Sequence, residues 1–179
     1  MGPIARRYFV MNAFDGVMTA LGIVLGGAVA IGDPLAIFKA GFGASLAIMV
    51  SGFWGAFMTE RAERTAQMKS LERHLLRDLN GSHIEKHAKD KMLELAVIDA
   101  LSPFLGAFIP LFPFLLAHFG KLSYMTAILS SAGLALACLF LLGVYLSRIM
   151  KENFVKTGLV FAAGGVLIAI ITMIFERLF

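Results

Sequence analysis

The sequence predicts an all-α integral membrane protein: five transmembrane helices, with a short cytoplasmic helical hairpin between the second and third. Three observations predict it. Of the 179 residues, 59% are hydrophobic and only 16% charged, more apolar surface than a soluble domain of this length needs. Apolar runs recur approximately over 8–31, 35–58, 97–119, 122–147 and 155–176, each long enough to cross a hydrocarbon core of roughly 30 Å. Basic residues gather on alternate connections, as they do around a membrane.

The first run follows Arg6-Arg7 and holds Asp15 about three helical turns in. It is rich in small residues and carries that acid, so it reads as a retained span rather than a cleaved signal. At helical spacing Met11, Asp15, Met18 and Gly22 fall on one stripe, with Asn12 and Thr19 beside it. An ionised group in a bilayer is costly and normally faces a bundle interior or a wet cavity. A carboxylate among thioethers and small residues therefore reads as part of a cation path, with Met11 and Met18 as further candidates.

Gly32-Asp33-Pro34 and Gly120-Lys121 are connections too short for anything but antiparallel neighbours. The second run ends at Thr59-Glu60, where Glu60 and Glu63 stand at i, i+3 as candidate metal-entry ligands. From Glu60 to Glu94 no proline occurs, and Asn80-Gly81-Ser82 is the clear break. Gly81 can end one helix, and Ser82 with Glu85 has the spacing of a capping box opening the next. The region reads as two helical arms continuous with spans two and three. Met68, Leu71, Leu75 and Leu79 form one apolar face; Ile84, Ala88, Met92 and Leu95 form the other. Glu72 is a candidate for a metal site in the arms, and Asp99 for the cytoplasmic mouth of span three. The segments are thus 1–59 (helices one and two), 60–96 (hairpin) and 97–179 (helices three to five), in one membrane domain.

Span three contains Pro103, Pro110 and Pro113, which remove amide donors and predict a kinked or interrupted helix. Spans four and five are rich in glycine and alanine, which allow close packing. Arg6 and Arg7, the basic arms, and Arg148, Lys151 and Lys156 share one side; only Lys39, Lys121 and Arg177 lie on the other. The positive-inside rule puts the N-terminus in the cytoplasm and the C-terminus outside. Nucleic acid is not an expected partner, because acids alternate with bases in the arms and no aromatic lies between Glu60 and Glu94. Nor is an enzyme expected: the spans hold no nucleophile–base pair, phosphate loop or histidine–carboxylate cluster. Cys138 is the single cysteine, so no intrachain disulfide forms.

Three stretches resemble the vacuolar iron transporter family. They are Asn12-Ala13-Phe14-Asp15-Gly16; Met49-Val50-Ser51-Gly52 with Thr59-Glu60; and Gly106-Ala107-Phe108-Ile109-Pro110-Leu111-Phe112-Pro113. The order and spacing of these motifs within five spans carry the resemblance over nearly the whole chain. It implies a homodimer that moves Fe²⁺ or Mn²⁺ out of the cytosol in exchange for protons, along a path near the dimer interface. The metal is then the transported substrate, and no tightly bound cofactor is implied. Asp15 and Met49 match the family's membrane carboxylate and methionine, a hard and a soft ligand that suit such ions. One position departs: a glutamate of the family two turns before the methionine falls here at Gly41. The small size and absence of a targeting segment suggest a prokaryotic cell membrane. The rival reading is a non-transporting membrane protein whose arms sense metal or bind a partner.

Overall fold

The computed structural model describes residues 2–76 and 82–178. They form five helices: α1 (Pro3–Ala30), α2 (Pro34–Leu75), α3 (His83–His118), α4 (Tyr124–Met150) and α5 (Phe154–Leu178). Among the described residues there is no strand. All five helices are long and apolar enough to cross a membrane. Their outer faces keep Leu141, Leu159, Val160, Leu167 and Ile171 exposed, the surface of a protein solvated by lipid rather than water.

The short turns follow local chemistry. Gly32 takes φ +68°, a left-handed conformation that a Cβ disfavours. Asp33 then caps α2 by accepting from the Leu35 amide at 3.0 Å, with Pro34 at the first helical position. The turn into α4 repeats the device: Gly120 takes φ +69°, and Ser123 accepts from the Thr126 amide at 3.2 Å. Tyr124 donates its hydroxyl to the Ala28 carbonyl at 2.8 Å, tying the start of α4 to the end of α1.

α1 and α3 form the centre. Val24, Ile37, Leu111, Phe114 and Ala127 make one buried cluster from four helices, and Val17, Leu21, Ala135 and Leu139 make a second between α1 and α4. A Cβ on Gly106 would lie 2.5 Å from the Ala13 carbonyl oxygen, and one on Gly16 would overlap the Pro103 carbonyl. The two helix backbones therefore touch, as small residues permit in membranes. α4 and α5 approach in the same way, with a Gly143 Cβ falling 2.7 Å from Gly158 Cα.

Of the kinked or interrupted helix that the prolines predict, the interruption does not occur: α3 runs on through Pro103, Pro110 and Pro113. All three rings are buried, and the buried Ser131 hydroxyl of α4 donates to the Pro110 carbonyl, tying α4 to this part of α3.

α2 has 42 residues and spans about 63 Å, roughly twice the hydrocarbon thickness. It and α3 leave the bundle together as the two arms. Ser82 caps α3, accepting from the Glu85 amide at 3.3 Å. Leu79 and the break at Asn80-Gly81 lie outside the described residues. The apolar faces of the arms meet only in part. Met68, Ala88 and Met92 line the groove between them, and Leu95 is buried, whereas Leu71, Leu75 and Ile84 stay exposed. The seam between two helices is narrower than the apolar stripes the sequence supplies.

Candidate functional site

Asp15 is exposed on the surface of the helix bundle. It lines a groove of about 550 Å³ between α1, α4 and α5, beside Met11, Phe14 and Phe161. Among the described residues it makes no hydrogen bond or ion pair, so neither Lys39 nor a helix terminus satisfies it. A carboxylate in this setting has its ligand sites free for a cation or a proton.

A second polar group lies on α1 one turn nearer the N-terminus, turned toward α2 and α3. Asn12 donates from Nδ2 to the Tyr8 carbonyl at 2.8 Å and to Asp99 Oδ1 at 2.6 Å. Gly52 leaves room for that carboxylate, since a Cβ there would stand 3.0 Å from Asp99 Oδ2. Tyr8 donates its hydroxyl to Glu60 Oε1 at 3.4 Å, and Arg64 Nε lies 3.5 Å from Glu60 Oε2. Glu60 is 6% exposed. Two carboxylates from different helices thus meet one turn of α1. Replacing Asn12 by Leu is expected to destabilise the protein by about 1.5–3 kcal/mol, the range for a hydrogen bond to a charged partner. Thermal unfolding in detergent checks this, and an unchanged midpoint would show the contact to be idle.

Residues 71–177 match the VIT family. An uncharacterized protein of Methanocaldococcus jannaschii is 33% identical over 181 residues, covering 99% of this chain and 92% of the relative. The chain belongs to the VIT family. VIT proteins are membrane metal-ion transporters rather than enzymes, and the five membrane-crossing helices fit that class.

Within this VIT chain the remaining candidates are dispersed. Met49 is half-buried and lines a different groove, between α2 and α3, with Trp54 and Leu101. Glu63 is exposed and accepts from Gln67 at 3.4 Å, whereas Glu60 turns inward. Three residues separate them, about 60° around the helix, enough to put one against α1 and the other in solvent. Met18 packs with the α1–α4 cluster, while Met11 remains beside Asp15. Glu72 lines the groove between the arms, opposite Glu85. Among the described residues, no three His, Cys, Asp or Glu side chains converge as a metal site. Gly41 is buried, and a Cβ there would meet the side chain of Leu111, which is itself fully buried. Sequence reasoning missed Tyr8, whose partner Glu60 stands 52 residues away on another helix.

Proposed function

We propose that this VIT protein carries Fe²⁺ or Mn²⁺ out of the cytosol in exchange for protons, working as a homodimer. The observation that carries the reading is Asp15: a carboxylate well inside an apolar helix, exposed on the protomer surface, with no partner among the described residues. A scaffold has little reason to bear the cost of such a group. Its neighbour Met11 supplies a thioether, and Met49 a second from α2, giving mixed ligands suited to Fe²⁺ and Mn²⁺. Asp15 and Met49 line separate grooves of one protomer, so a second copy completes a path that touches both. Glu60, Glu63 and Asp99 attract the ion at the cytoplasmic end. Leu111 packs where a side chain at position 41 would go, so Asp15 itself exchanges the proton as metal binds.

The test uses proteoliposomes holding a metal-quenched dye and a pH dye. Adding Fe²⁺ or Mn²⁺ is expected to quench the first and to drive protons oppositely. Metal entry without proton movement overturns the exchange. No flux of either metal through folded protein overturns transport, and favours the arms as a metal-sensing or interaction module.

A further inference from the structure

Two of the carboxylates assigned to metal entry are already engaged by donors from α1. Asn12 donates to Asp99 of α3 at 2.6 Å, and the Tyr8 hydroxyl donates to Glu60 of α2 at 3.4 Å. Asn12 also donates to the Tyr8 carbonyl at 2.8 Å, so the two donors sit on one turn and are coupled. Arg64 reaches Glu60 as well, but from four residues along the same helix, so that pair ties α2 to no neighbour. Asp99 makes no ion pair among the described residues. Its carboxylate is therefore met by a neutral amide, and a divalent cation is a stronger partner for it.

We propose that Tyr8 and Asn12 form a latch across the metal entry, and that an arriving divalent cation opens it by taking Glu60 and Asp99 from them. The inference rests on the transport reading above. A ligand that must first break a bond binds more weakly by the worth of that bond. Tyr8 and Asn12 are thus positioning residues, set against the metal rather than around it. Removing a latch donor then tightens binding at the entry, and bound metal frees the first turns of α1. Both effects run opposite to the ordinary cases. Losing a ligand weakens binding, and a bound ligand stabilises the state it binds and slows local opening.

Mn²⁺ binding to the full-length protein in detergent, read from the free Mn²⁺ signal in electron paramagnetic resonance, tests this. Asp15→Asn is the background, so that the membrane carboxylate does not contribute. Adding Tyr8→Phe keeps the ring and removes the hydroxyl. Affinity is expected to rise about tenfold, the lower end for a hydrogen bond to a charged partner. Tyr145→Phe, on α4 with its ring against Phe9, leaves it unchanged, and Glu60→Gln with Asp99→Asn abolishes the binding that Tyr8→Phe strengthens. Should Tyr8→Phe fail to fold, amide exchange in the Asp15→Asn protein decides: saturating Mn²⁺ is expected to speed exchange over residues 4–12. Affinity that stays the same or falls in Tyr8→Phe, or rises equally in Tyr145→Phe, overturns the latch. So does binding that survives loss of both carboxylates, or exchange that slows or stays unchanged. Neither readout needs flux, so absent flux in liposomes alongside the expected results overturns transport alone.

Discussion

Asp15→Asn is expected to bring metal-driven quenching down to the level of protein-free liposomes while leaving the protein folded. The substitution keeps shape and removes charge. It also breaks no hydrogen bond or ion pair within the chain, since Asp15 makes none among the described residues. Placing a charged side chain at mid-bilayer costs about 2.5–3.5 kcal/mol on insertion scales. Removing it should therefore leave thermal stability unchanged or raise it. Lost flux with retained stability marks a ligand; lost flux with a large fall in the unfolding midpoint marks a structural group. Asp99 gives the contrast, because it accepts from Asn12 at 2.6 Å and faces Gly52 inside the bundle. Metal flux retained in Asp15→Asn would sink the proposed mechanism.

The fold was legible where one residue's neighbours along the chain decide its state. The five spans, the two glycine turns and the Ser82 cap all follow from local pattern, and each stands close to its expected place. Pairings across helices were not legible. Asn12 and Asp99 are 87 residues apart and Tyr8 and Glu60 are 52; no spacing rule joins them. The α1 stripe was right for Met11 and Asp15, which share one groove. It was too broad for Met18, about 60° further round, which packs against α4. For the prolines of α3 the sequence left a kink and an interruption open, and only the interruption is excluded. Each removes an amide donor, yet α3 continues through all three, with α1 packed on Pro103 and α4 bonded to the Pro110 carbonyl.

The second large effect belongs to the crossing of α1 and α3. Gly16→Ala is expected to cost about 1–3 kcal/mol or more, because its Cβ would overlap the Pro103 carbonyl and lie 2.6 Å from Pro103 Cα. These are backbone atoms of a buried helix, so no rotamer change can relieve the clash. Gly22→Ala and Gly43→Ala meet nothing within 4 Å and should be neutral or slightly stabilising, since alanine favours helix over glycine. Unfolding midpoints in detergent separate the two classes. Gly106→Ala makes the reciprocal clash with the Ala13 carbonyl, and one outward shift of α1 relieves both. The double variant should then lose less than the sum of the singles, as expected for changes that share a backbone displacement. That shift would also stretch the Asn12–Asp99 bond and carry Asp15 with it, so flux should fall in the same variants. An unchanged midpoint in Gly16→Ala would mean that the helices do not meet there, and the orientation assigned to Asp15 would fall with the crossing.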